Sequence, residues 1–141
     1  MIRKLTAALA LAAALALTNP AHSHAAPAAP DISETDLARA AAACTSGWVC
    51  FWSGHNFSGS KCQWDVADRD WLGGAARCSW SKGTAVKSVF NAGVSGGLTG
   101  VAYYTGVDYT NRIGCTPQGL GGNLAGTYTV RSHRWINTSC G

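Results

Sequence analysis

The chain has 141 residues, 11 Lys and Arg against 7 Asp and Glu, and close to half of its residues are apolar. That length has room for one domain. The small excess of positive charge is scattered along the chain, which argues against nucleic acid as a partner, since nucleic-acid recognition needs a dense basic stripe or patch.

Arg3 and Lys4 precede an apolar run over residues 5–17, then Thr18-Asn19-Pro20 and several small residues. This is the layout of a secretory signal, assigned to residues 1–25. The run falls short of the roughly 20 apolar residues of a membrane-spanning helix, so a secreted, extracellular protein without membrane contact after cleavage is expected. Residues 26–43 read as a linker or pro-segment. Ala25-Ala26-Pro27-Ala28-Ala29-Pro30 cannot build a core, and residues 31–43 predict a short helix with Ser33 as N-cap and Asp36 three positions on. Its apolar side is nearly all alanine, so alone it is marginal, and the reading leaves it outside the fold.

From Cys44 the texture changes to Gly, Trp, Tyr, Ser, Thr and Asn, and residues 44–141 form the domain. Short strands are expected at 49–52, 61–66, 86–90, 101–104 and 127–131, each bounded by turn residues. Alternation over 61–66 puts Cys62, Trp64 and Val66 on one face. Residues 93–100 form a glycine-rich joint between two halves. Many short strands separated by turn clusters indicate an all-β sandwich of Greek-key type. Six cysteines, Cys44, Cys50, Cys62, Cys78, Cys115 and Cys140, follow the signal, and an even count in a short exported chain reads as a disulfide framework. A metal site using His55 and His133 is the competing reading, but no Cys-x-x-Cys spacing supports it. No metal and no cofactor are expected.

Catalysis finds little support. Gly93-Val94-Ser95-Gly96-Gly97 matches a nucleophile motif literally but lacks the strand, helix and α/β sheet that such an elbow requires. Asp65, Asp68 and Asp70 read better as a polar turn with local ion pairing than as an acid–base group. Six tryptophans supply most of the core, with Trp52 and Trp64 inside and Trp71 and Trp80 left open.

The two halves repeat a pattern. Trp52-Ser53-Gly54-His55-Asn56-Phe57-Ser58-Gly59 is echoed by Tyr104-Thr105-Gly106-Val107-Asp108-Tyr109-Thr110-Asn111, and Val86-Lys87-Ser88 by Val130-Arg131-Ser132. Each copy reads as a folded hairpin. Two aromatics pack across the turn, Gly59 or Asn111 takes a positive φ, and Ser88 or Ser132 ties the hairpin down. The pattern resembles the βγ-crystallin Greek-key motif, which implies a disulfide-stapled sandwich of two such motifs. Cys44-x5-Cys50 just before Phe51-Trp52-Ser53-Gly54 resembles the opening of the Streptomyces metalloproteinase inhibitor family. Those proteins are small, secreted and crystallin-like, and they block thermolysin-type metalloproteases.

The resemblance implies a monomer without enzymatic activity that targets a secreted protease. Its rigid exposed inhibitory loop would comprise Arg112, Ile113, Gly114, Cys115, Thr116, Pro117, Gln118 and Leu120. Two departures bear on this. The loop's first cysteine, Cys115, has no partner close behind it, and Thr116 stands where the family has a bulky apolar residue. Chain order favours the pairs Cys44–Cys50, Cys62–Cys78 and Cys115–Cys140, and the resemblance supports the first. Crystallin-type calcium sites need Asn or Asp where this chain has Thr84-Ala85 and Tyr128-Thr129, so none is expected. The alternative function is a wall- or glycan-binding module using exposed aromatics.

Overall fold

Strand β1 (Val49–Trp52) is buried at every residue, and its alternation divides the interior in two. Val49 and Phe51 enter a core with Trp64, Trp71, Val86, Val89, Val101, Tyr103 and Val130. Cys50 and Trp52 point the other way, into a second cluster with Ala40, Cys44, Phe57 and Phe90. The computed structural model describes residues 29–141, so the signal and the first residues of the spacer lie outside it.

The remaining elements are α1 (Glu34–Ala43), β2 (Lys61–Trp64), a 3₁₀ turn (Ser79–Lys82), β3 (Val86–Asn91), β4 (Gly100–Tyr104), β5 (Arg112–Pro117), β6 (Gly121–Tyr128) and β7 (Ser132–Ile136). They form two antiparallel sheets, ordered β2-β1-β3-β6 and β5-β4-β7. Strand β6 leaves its own half to pair with β3, while Asp68 of the first half bridges to His133 on β7. The halves therefore interlock.

Both hairpins are built alike. Trp52 and Phe57 meet edge to face at 5.3 Å, and Tyr104 and Tyr109 meet at a tilt at 5.9 Å. Ser88 Oγ donates to Gly54 O at 2.7 Å and accepts from Phe57 N at 3.0 Å. Ser132 Oγ donates to Gly106 O at 2.6 Å and accepts from Tyr109 N at 3.1 Å. Gly59 and Asn111 have φ of 80° and 57°. Both serines are fully buried, so each hydroxyl satisfies hairpin groups that water cannot reach.

Disulfides join Cys44 to Cys50, Cys62 to Cys78 and Cys115 to Cys140. In the chain-entropy account, loops of these sizes contribute about 2–4 kcal/mol each.

Three expectations need correction. Val66 is 62% exposed, because β2 stops at Trp64 and the chain turns away before the alternation reaches it. Of the strand expected at 127–131, only Thr127 and Tyr128 are in a strand, the tail of β6, which runs through the glycine-rich stretch before it, and β7 begins separately at Ser132. The helix expected at 31–43 and read as lying outside the fold instead packs onto it. Ser33 Oγ accepts from Asp36 N at 3.1 Å as its N-cap. Ala40 is fully buried, and Leu37 and Ile32 pack against the cluster that contains Trp52, Phe57 and Phe90. Arg39 donates to Asn56 O at 2.7 Å, and the Cys44–Cys50 bridge anchors the helix end to β1. Small alanines, which weaken an isolated helix, allow close approach to the aromatic face. A chain trimmed to residues 44–141 should accordingly lose about 2 kcal/mol or more, and its thermal midpoint should fall by over about 10 °C. An unchanged midpoint in differential scanning calorimetry would show that the helix contributes nothing.

Candidate functional site: the β5 edge and the turn after it

Pairing with β4 fixes which side of β5 faces out. Thr116 lies opposite the core residue Val101, and Cys115 opposite Ala102 on the outer face. Thr116 is only 6% exposed, so it is not the surface residue expected from the sequence. Arg112 is exposed, while Ile113, Gly114 and Cys115 are half-buried. The register slips after Tyr103, leaving Ile113 as the extra residue of a bulge. A Cβ on Gly114 would overlap the Tyr103 ring, whose burial raises its phenol pKa above the ordinary value. The expected exposed loop is thus a strand over most of its length, because its backbone is paired and its side chains alternate.

What remains exposed is the turn at residues 117–120. Pro117, Gly119 and Leu120 are exposed, with Leu120 at 56%, and Gln118 is half-buried. The turn is held from below. Asn91, fully buried at the end of β3, donates its backbone N–H to Leu120 O at 2.9 Å and accepts from Gly119 N at 2.8 Å. Its side chain donates Nδ2 to Thr116 O at 3.0 Å and accepts from Gly93 N at 2.9 Å. Gln118 N donates to Thr99 O at 2.9 Å. Gly119, at φ 78°, takes the conformation that glycine adopts without strain. The Cys115–Cys140 bridge lies against Gly100, where a Cβ would approach Cys140 Sγ to 2.8 Å. Beside the turn, a cleft of about 240 Å³ opens between β5 and β6, lined by Thr116, Pro117, Leu120, Gly121 and Leu124.

Sequence reasoning missed Asn91. A lone amide closing the apolar run Val89-Phe90 was the available signal, and it reads equally well as a strand terminator.

The other motifs resolve into structure. Ser95 Oγ accepts from Gly97 N and Leu98 N, each at 3.2 Å, which makes it a turn residue of the joint. Asp68 accepts from Asp70 N at 2.8 Å, and Asp70 pairs with Arg131 at 2.6 Å. That hydrogen bond from Arg131 holds the Asp70 carboxyl below its ordinary pKa. None of the six tryptophans is exposed: Trp52, Trp64 and Trp71 are buried, and Trp48, Trp80 and Trp135 half-buried. A flat tryptophan platform for glycans is therefore not formed. Among the described residues, no cluster of three or more His, Cys, Asp and Glu is placed to hold a metal ion.

The sequence profile of peptidase inhibitor family I36 matches residues 37–116, from within α1 to the buried end of β5. The chain belongs to peptidase inhibitor family I36. It is an inhibitor and not an enzyme. No match is found for the inhibitor among curated proteins. The matched span includes both hairpins, Asn91 and all of β5 except Pro117, and it ends just before the exposed turn.

Proposed function

We propose that this inhibitor is exported and blocks thermolysin-type metallopeptidases by seating the 117–120 turn in the peptidase cleft. The observation that carries the reading is an exposed leucine on a turn whose backbone is already fixed, at both Gly119 and Leu120, by Asn91. Such a turn loses little conformational entropy on binding. The metallopeptidase target follows from family membership and the opening cysteine motif. The signal-like N-terminus and the three disulfides support secretion. The frame is two Greek keys of the βγ-crystallin kind, supported by the paired serine-tied hairpins and the exchange of β6 between halves.

Because Thr116 points inward, Leu120 takes the role of the large apolar contact residue. Leu120→Ala should weaken inhibition of a thermolysin-type enzyme by about 1–3 kcal/mol, tenfold or more in the inhibition constant. Val66, an exposed apolar residue beyond β2, serves as the control, and Val66→Ala should leave the constant unchanged. Equal constants for Leu120→Ala and the parent would remove the turn from the mechanism.

A further inference from the structure

The internal repeat makes the outer faces of the two sheets comparable residue by residue. Cys50, Trp52, Phe57 and Phe90 on the first correspond to Ala102, Tyr104, Tyr109 and Arg134 on the second, counted from the matched aromatics and from Ser88 and Ser132. Helix α1 covers the first set. No helix among the described residues covers the second. There both aromatics are tyrosines, and the place of Phe90 belongs to an exposed arginine.

Arg134 is fixed in place. Its Nε donates to the Tyr104 hydroxyl at 3.0 Å, and its guanidinium lies 5.7 Å from the Tyr104 ring and 5.3 Å from the Tyr109 ring. Tyr104 is 4% exposed, so the post that holds the arginine is itself immobile. Arg69 also approaches the Tyr109 ring, at 5.6 Å, but it is paired with Asp108 at 2.9 Å. Arg134 has no carboxylate partner among the described residues, and its terminal nitrogens make no hydrogen bond there. Ala102 lies opposite Arg134 on one side and Cys115 on the other. The arginine backbone thus stands two strand spacings, roughly 10 Å, from the strand that leads into the turn. Arg112, opposite Tyr104 on the same face, is exposed and likewise unpaired among the described residues.

We propose that the Arg134–Tyr104–Tyr109 shelf is a second contact site for the target peptidase, binding a carboxylate on an acidic rim beside its cleft. The proposal rests on the reading that the 117–120 turn, into which β5 leads, enters the peptidase cleft. A planar guanidinium offers two parallel N–H groups to one carboxylate, and the tyrosines have already removed most of its rotamer freedom. Arg112 adds a second positive charge to the same face.

The test is the inhibition constant of the oxidised protein against a thermolysin-type peptidase at low and high ionic strength, with thermal midpoints measured alongside. Arg134→Gln should raise the constant roughly fivefold or more at low salt. The difference should shrink toward nothing near 1 M salt, where the screening length is about 3 Å. Arg134→Lys, which keeps the charge and loses the fork, should fall between. An Arg134→Gln protein whose constant stays within about twofold of the parent at low salt, while Leu120→Ala weakens inhibition, overturns the shelf and leaves the turn standing. A loss that does not depend on salt, or that follows a fallen midpoint, also overturns it, because a purely structural role predicts that result. A parent that inhibits no metallopeptidase removes the reading beneath the proposal, and the shelf falls with it.

Discussion

Asn91→Ala is expected to cost about 3 kcal/mol of stability and to weaken inhibition by tenfold or more. The residue is fully buried and its side chain makes two hydrogen bonds, to Thr116 O and from Gly93 N. Alanine keeps the backbone bonds to Gly119 and Leu120 but leaves both side-chain partners unsatisfied. Each buried polar group left unpaired costs about 1–3 kcal/mol. At this chain size that lowers the thermal midpoint by roughly 10–20 °C. Inhibition weakens for a different reason: once the Thr116 carbonyl is released, the turn must be ordered during binding instead of beforehand. Scanning calorimetry and inhibition constants at 25 °C, where the variant is still folded, separate the two effects. A variant with the parent's midpoint and inhibition constant would show that Asn91 holds nothing in place.

Acid should destabilise the domain through His133. Its ring is fully buried and lies 4.8 Å from the Trp64 ring and 5.9 Å from Phe51. Trp71 Nε1 donates to His133 Nδ1 at 2.8 Å, so Nδ1 is the acceptor and Nε2 carries the proton toward Val66 O at 3.0 Å. A second proton would set two donors against each other in an aromatic interior. Burial accordingly lowers the pKa of His133 from 6.5 to about 4. Between these values the unfolded chain binds a proton that the folded chain refuses. This contribution is therefore complete above about pH 6.5, declines as the pH falls toward 4, and levels off below, for a total of about 3 kcal/mol. Asp70, whose pKa is lowered chiefly by the Arg131 hydrogen bond, loses its contribution only below the ordinary carboxylate range. Urea unfolding at pH 7 and pH 4.5 should show most of the His133 loss, and His133→Gln should flatten the dependence. A parent equally stable at both values would contradict the neutral, hydrogen-bonded assignment.

How far the sequence could be read depended on which force shapes each segment. Strands β1 and β3 announce themselves through β-branched and aromatic residues that are intrinsically suited to sheets. The hairpins were legible because their spacing of aromatics, glycine or asparagine, and serine is a local chemical requirement, met twice. Strands β5 and β6 were not, since Gly114, Pro117, Gly121, Gly122 and Gly126 lower strand propensity. Their extended form comes from the edges of β4 and β3. At Gly121 a Cβ would come within 2.7 Å of Phe90 Cδ2 and 2.9 Å of Val89 O, so close packing explains a glycine that reads locally as a turn. Helix α1 was legible as a helix from its cap, but its attachment was not, because docking depends on an aromatic face assembled from residues 52, 57 and 90. The candidate site divides in the same way. Its position in the chain followed from family resemblance, whereas the inward turn of Thr116 and the clamp at Asn91 exist only once β4 and β3 are in place.

This chain is proposed to inhibit a metallopeptidase through its 117–120 turn. The most direct measurement of that inhibition is a titration of a thermolysin-type enzyme, and of a serine peptidase for comparison, with the oxidised protein. Stoichiometric loss of metallopeptidase activity, sparing the serine enzyme and largely relieved in Leu120→Ala, is the expected result. Full metallopeptidase activity at a large molar excess of the protein, or inhibition that Leu120→Ala leaves untouched, would contradict it.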